Sequence, residues 1–324
     1  MKYIIRFKSA TWPDSYIAKF MNLAVDGLIE KYPQHDFEIV RNKEMEQMGG
    51  HGHVSSPLNF SVLNPETKKY IVVSSIDNWR HHLYRHLGWD PQNMVKMFYS
   101  GGFTFEDYFL LRQSHRELVH DIKSVYRPFY YGPYDFRYQD VMTELYTNRN
   151  PENEELVFRG LVFDFRKTIV KSINYPFIKV IDRRAGNTNL TYVEYLEELS
   201  NSSAALSLPG VTEICNRDIE CFGVGVPVLR PLLHTQYPEP LVPNYHYINF
   251  YTDCDYTHQE GYPRYEFKED FGKYLNHKWS RVRKNKDYLK FVSDNAREWY
   301  VRNCLLENNV QYLLSQLNLE DTNV

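Results

Sequence analysis

The sequence has no run of about 20 apolar residues, the length a helix needs to cross a bilayer. Its opening, MKYIIRFKSATWPDSY, turns polar too soon for a secretory core. Only four cysteines occur, Cys215, Cys221, Cys254 and Cys304, and no two form a CxxC pair. That excludes a zinc ribbon or a dense disulfide scaffold and favours a reducing compartment. No basic excess exists: 38 Lys+Arg stand against 41 Asp+Glu, for a formal net charge of -3. A nucleic-acid partner is therefore not expected. No dinucleotide fingerprint is present, because the GVG at 223–225 follows a helical pattern and lacks the third glycine. The MGGHGH at 48–53 carries no GKS or GKT, so it is no Walker loop. The single DxD spelling, Asp253-Cys254-Asp255, would place its carboxylates on one face only in a strand; it reads as a loop rim, with no metal. A soluble, cytoplasmic protein without a transmembrane segment is the expectation.

What is present is a folded α/β pattern. The 324 residues exceed what one core comfortably serves, so two domains are expected. Aromatics make up 16%, with 27 Tyr and 19 Phe. Tyrosine is amphipathic, so the surplus suits a wet cleft or an interface, or is simple composition bias. KYIIRF, DFEIV and KKYIVVSSI read as strands, and SYIAKFMNLAVDGLIEKY as a helix with one apolar face. A short strand is expected near Val95–Tyr99, then irregular aromatic loops after Arg127. The polar stretch TNRNPENEE (147–155) is the best linker.

The alternation resumes beyond it. LVFRGL, FIKVIDRR, SAALSLPG, VPVLRP and HYINF read as strands. VFDFRKTIVKSI, TYVEYLEELSNS and EICNRDIECFGVG read as helices. The last stretch, from Arg281 onward, is helical with a break expected near Ser293. Its basic cluster, Arg281 to Lys286, reads as a solvated helix face. The domains expected are 1–150, 151–290 and a closing helical tail, 291–324.

One segment asks for chemistry: SLPGVTEICNRDIECFGVGVPVLRP, residues 207–231. Parallel sheets bind ligands beyond the C-terminal ends of their strands. Gly210 would let the backbone turn there and approach a ligand. A helix starting near Thr212 would aim N–H groups at a phosphate. Arg217 would add a charge-assisted contact. Glu220, three residues on and on the same side, could accept both hydroxyls of a ribose. Gly223 and Gly225 would end the helix and open the next strand. The competing reading is a plain helix–glycine–strand junction with an Arg217–Glu220 pair inside the helix.

This segment resembles the donor region of nucleotide-sugar glycosyltransferases of the GT-B architecture, notably the exostosin-like and protein O-glucosyltransferase-like groups. ELVFRGLVFDFR resembles their FRG……R element, and DNAREWYVRN their closing helix. The resemblance covers roughly residues 155–305. It implies two Rossmann-like domains facing each other across a cleft, the first binding an acceptor and the second the donor. It implies a UDP- or GDP-linked sugar as substrate, with no separate cofactor, and a glycan or glycoprotein acceptor. It carries donor-phosphate contacts onto Arg159, Arg166 and Arg217, and ribose binding onto Glu220. Such a transfer, if inverting and metal-independent, needs a base from the first domain. Asp77, just beyond IVVSS, ranks first, with His51 and His53 behind it. Tyr99, Tyr130, Tyr131 and Tyr134 would stack on sugar or pack the domain. A nucleotide-sugar epimerase or isomerase, or a non-catalytic nucleotide- or sugar-binding protein, stays open beside this reading, as does the oligomeric state.

Overall fold

The computed structural model describes residues 1–7, 16–41, 59–74, 93–99, 126–128, 130, 132–162, 165–183, 190–209, 213–233, 237–250, 254–259, 262–267 and 271–323. The chain forms two compact units. Unit 1 holds Met1–Phe136, Thr235–Pro238 and Leu306–Val324; unit 2 holds Arg137–His234 and Glu239–Leu305.

Unit 1 is built on a six-stranded sheet of order β2-β1-β3-β4-β5-β6. The strands are β1 (Lys2–Phe7), β2 (Asp36–Arg41), β3 (Asn59–Leu63), β4 (Tyr70–Ser74), β5 (Met94–Tyr99) and β6 (Tyr126–Pro128). Parallel β1 and β2 are bridged by helix α1 (Tyr16–Lys31). Its Phe20, Met21, Ala24, Val25 and Leu28 recur at helical spacing and are buried. The sheet is mixed, because β3 runs antiparallel to β1 and to β4. Sequence reading left β3 at the end of a glycine- and histidine-rich loop. Its five residues are legible only through the turn that follows. There the Asn64 side chain accepts the N–H groups of Glu66 and Thr67, and Lys68 takes φ 63°.

Unit 2 opens with helix α2 (Gln139–Thr147), where sequence reading expected only irregular aromatic loops and then the linker. Its sheet is wholly parallel, in the order β11-β10-β9-β7-β8. The strands are β7 (Leu156–Gly160), β8 (Ile178–Asp182), β9 (Ala204–Leu206), β10 (Val228–Arg230) and β11 (Ile248–Asn249). Between them run α3 (Phe165–Ser172), α4 (Tyr192–Ser200) and α5 (Asn216–Gly223). β7 and β9 are neighbours, and the chain leaves β7 in one direction and β9 in the other. That reversal is the switch point where open parallel sheets form a ligand crevice. Leu156, Phe158, Ala204, Leu206, Leu229 and Ile248 fill the core beneath it.

A two-stranded antiparallel ribbon follows, β12 (Cys254–Gln259) and β13 (Tyr262–Phe267). Asp255 thus lies in a strand and not on a loop rim; Asp253 is outside the described residues. The helical stretch is three helices: α6 (Phe271–Val282), α7 (Lys286–Asn303) and α8 (Leu306–Gln316). The break expected near Ser293 is absent. Ser293 sits inside α7, and its hydroxyl donates to the Gly225 carbonyl at 2.6 Å. The true breaks fall after Val282, where Asn285 caps α7 by accepting the Tyr288 N–H, and after Asn303. Helix α8 packs on α1 in the core of unit 1, with Leu313, Leu317 and Leu319 fully buried.

Candidate functional site

The switch point gathers charged residues from β7, α3 and α5. β7 is buried along its whole length, so Phe158, Arg159 and Gly160 reach the C-terminal sheet edge beneath cover. β9 delivers Ser207, Leu208 and Pro209 to the same edge; Gly210 lies outside the described residues.

Arg166, in the first turn of α3, braces that exit. Its Nε donates to the Pro209 carbonyl at 2.7 Å, Nη2 to Leu208 at 2.6 Å and Nη1 to Leu161 at 3.2 Å. Three backbone carbonyls at the edge are thereby satisfied. Arg159 turns to α4, where Glu198 takes its Nε at 2.6 Å and its Nη2 at 2.5 Å. This fork is the bidentate geometry that arginine favours.

Arg217 is different. Its guanidinium lies over the Phe158 ring, 4.8 Å from the centroid. It presses on Gly160, where an added Cβ would come within 2.3 Å of Nη2. Glycine at 160 thus makes room for this side chain. Nε and Nη1 of Arg217 are buried and have no hydrogen-bond partner among the described residues. A hidden cationic donor without an acceptor carries a desolvation cost, which an anion placed there would offset.

One turn on, Glu220 is 3% exposed. Its Oε1 accepts the Tyr192 hydroxyl at 2.7 Å and its Oε2 the Tyr195 hydroxyl at 2.9 Å. The two tyrosines stand three residues apart on α4 and so reach the same carboxylate. Burial, followed by the neighbouring Glu220 charge, pushes both phenols well above the usual tyrosine range. Both therefore stay protonated as donors. The expected alternative, an Arg217–Glu220 ion pair within the helix, is not formed.

Between these residues Asp218 faces the core. Its Oδ2 accepts the Cys215 N–H at 2.9 Å, capping α5, and its Oδ1 meets Arg230 Nη1 at 3.0 Å. Arg230 Nη2 donates to the Glu213 carbonyl at 2.9 Å. Both side chains of the pair are hidden, at 0% and 1% exposure. Burial raises the Cys215 and Cys221 thiols, so neither offers a thiolate. Gly223 and Gly225 face away from the crevice, toward α2 and α7. The Gly223 carbonyl accepts Arg297 Nη1 at 2.5 Å. Gly225 holds φ 70°, and a Cβ there would strike the Tyr146 ring at 2.3 Å.

The structure therefore brings Arg159, Arg166, Arg217 and Glu220 together at one sheet edge. Asp77, His51 and His53 lie outside the described residues, as does Tyr131. Tyr130 is buried in unit 1 and stacks on Tyr237, with centroids 5.9 Å apart. Sequence reasoning missed Phe158, Glu198, Arg230 and the tyrosine pair. The signal for the last was present: Tyr192 and Tyr195 share a helix face, and a buried phenol needs an acceptor. Among the described residues no group of three or more His, Cys, Asp or Glu side chains is placed to hold a metal. No helix among them is long and apolar enough to cross a membrane.

No family model matches the chain, and no curated protein matches its sequence. Solved structures do resemble it. The Anabaena protein HepE, crystallised in complex with UDP and glucose, is 8% identical with a TM-score of 0.49, over 97% of this chain and 98% of that one. A glycosyltransferase from Rickettsia africae is 10% identical with a TM-score of 0.47, over 97% of both chains. WaaG, a glycosyltransferase involved in lipopolysaccharide biosynthesis, is 9% identical with a TM-score of 0.46, over 97% of this chain and 98% of that one.

Proposed function

We propose that the protein is a glycosyltransferase that binds a nucleotide-sugar donor at the β7/β9 edge of unit 2. The observation that carries this reading is Arg217, a half-buried side chain whose Nε and Nη1 are hidden and unpartnered, one helical turn from a carboxylate already held by phenols. Diphosphate oxygens would accept from Arg217. Glu220 would take the ribose hydroxyls, since a carboxylate accepts more than the two hydrogen bonds its tyrosines supply. Arg166 and Arg159 would shape the crevice, through the 208–209 carbonyls and through Glu198. The donor would be UDP- or GDP-linked, and a glycan or glycoprotein hydroxyl the acceptor.

In the transfer, the acceptor oxygen attacks the anomeric carbon and the bond to the diphosphate oxygen breaks. The diphosphate leaves with the electron pair, and Arg217 stabilises the charge that grows on it. An inverting course needs a base to take the acceptor proton, and Asp77 is proposed for it ahead of His51 and His53. Unit 1 would carry the acceptor, and unit 2 the donor.

The test is a calorimetric screen of the full chain against UDP, GDP, CMP, ADP, dTDP and NAD, without metal and then with Mn²⁺. A ligand that binds only the native state raises its stability. One nucleoside diphosphate should bind, and Arg217→Ala should weaken that binding by about 10- to 100-fold. Binding of NAD alone, or of nothing, overturns the reading.

A further inference from the structure

The α6–α7 elbow carries a concentration of charge that the nucleotide reading leaves unused. Residues 271–292 contain seven Lys or Arg and one acid, Asp287, in a chain of net charge -3. Helix α6 presents Tyr274, His277, Lys278 and Arg281 at i, i+3, i+4 and i+7, a single stripe. Arg283 pairs with Glu154 and Lys290 with Asp294, whereas Arg281, Lys284 and Lys286 are exposed and have no ion-pair partner among the described residues. A helix face built only for solubility intersperses both signs.

Large apolar side chains stand beside this charge. The 242–246 turn rests on the two helices: Asn244 Oδ1 accepts Lys278 Nζ at 3.4 Å and the Tyr288 hydroxyl at 3.3 Å. The Tyr245 ring packs edge-on against Phe291 of α7, with centroids 5.5 Å apart. Val242, Tyr245, Tyr274 and Phe291 are nonetheless 39 to 47% exposed. The turn is firmly held, since His246 Nδ1 accepts the Val242 N–H at 2.8 Å. Its outward residues are thus presented on a fixed base.

We propose that this face of unit 2 docks on an anionic lipid surface. Unpaired cations meet the negative headgroups, while Val242, Tyr245 and Phe291 enter the headgroup–acyl boundary. A polyanion such as RNA would use the cations but leave the protruding valine and phenylalanine in water. The inference stands apart from the nucleotide-sugar reading, because none of these residues lies at the β7/β9 edge.

Sedimentation of the full chain with phosphatidylcholine vesicles, with and without phosphatidylglycerol, tests it. The chain should pellet with the anionic vesicles at low salt and be released at high salt. The triple variant Arg281→Glu/Lys284→Glu/Lys286→Glu should partition at least about 100-fold less, since each cation contributes about a factor of five. All three side chains are exposed, so its thermal melting should match the parent's. Phe291→Ser should lower partitioning about 5-fold while keeping the salt dependence. Equal binding to both vesicle types, no binding to either, or an undiminished triple variant overturns the proposal. So does capture by single-stranded RNA with the vesicles left unbound.

Discussion

Asp218 and Glu220 lie two residues apart on α5, equally hidden from water, yet their partners differ in kind. Asp218 meets a full cation and a backbone N–H, and Arg230 is tied in turn to the Glu213 carbonyl. Glu220 accepts from two neutral phenols, while Nε and Nη1 of the cation beside it, Arg217, are hidden and without an acceptor. One side of the helix is electrostatically closed and anchors it to the sheet. The other is left short of one anion. A buried carboxylate is thus not in itself a mark of function, and neither is one unmet hydrogen bond, since Arg230 Nε has none either; what sets Arg217 apart is a guanidinium with no ion-pair partner among the described residues.

The contrast is sharpest in stability. Asp218→Ala leaves Arg230 buried and unpaired, and should cost about 3–5 kcal/mol in urea unfolding. A loss below about 1 kcal/mol would show that α5 is not anchored through this pair. Arg217→Ala should do the reverse. It gives up an aromatic contact of about 1 kcal/mol while weakening nucleoside diphosphate binding by about 10- to 100-fold, both read by calorimetry. If Arg217→Ala proves the more destabilising of the two, the division of the helix fails.

Tyr195→Phe removes one donor from Glu220 and should lower stability by about 1.5–3 kcal/mol. An unchanged melting curve would mean that Glu220 does not depend on its phenols. Gly160→Ala brings a Cβ to 2.3 Å from Arg217 Nη2 and should displace the guanidinium. Nucleotide affinity should fall about 10-fold with stability within about 1 kcal/mol. The smallest effect concerns a satisfied group far from the crevice. Burial lowers the His246 pKa, so its share of stability is full above the ordinary histidine value and is lost as pH falls through the folded one. Melting temperature should drop from neutral to mildly acid pH, less so in His246→Gln. The same drop in both would place the acid sensitivity elsewhere.

Much of unit 2 was legible in the sequence, because each strand–helix pair is short and sharply patterned. LVFRG, FIKVID and VPVLR are apolar runs bounded by Gly, Pro or charge, and they are strands. The Arg217–Glu220 spacing was likewise readable, since one helical turn is fixed by geometry. What could not be read were partners distant in sequence. Nothing in NRDIE says that Asp218 will find Arg230 twelve residues on while Glu220 finds α4. Strand β3 was hidden because five residues of mixed character become a strand only when β1 and β4 lie on either side. Helix α2 was masked by tyrosines that read as loop. It has one fully buried residue, Met142, so its apolar stripe is thin.

The path of the chain has a consequence for its synthesis. Helix α8 belongs to the core laid down by α1 and β1, but the whole of unit 2 is translated before it. Lys31, at the end of α1, donates to the carbonyls of Leu314 and Leu317 at 2.6 and 2.8 Å. Asn309, fully buried, bonds the Tyr16 hydroxyl and the Tyr130 backbone. On the ribosome, then, unit 1 starts before unit 2 but cannot close until α8 has followed it, and the apolar α1 face waits for that helix.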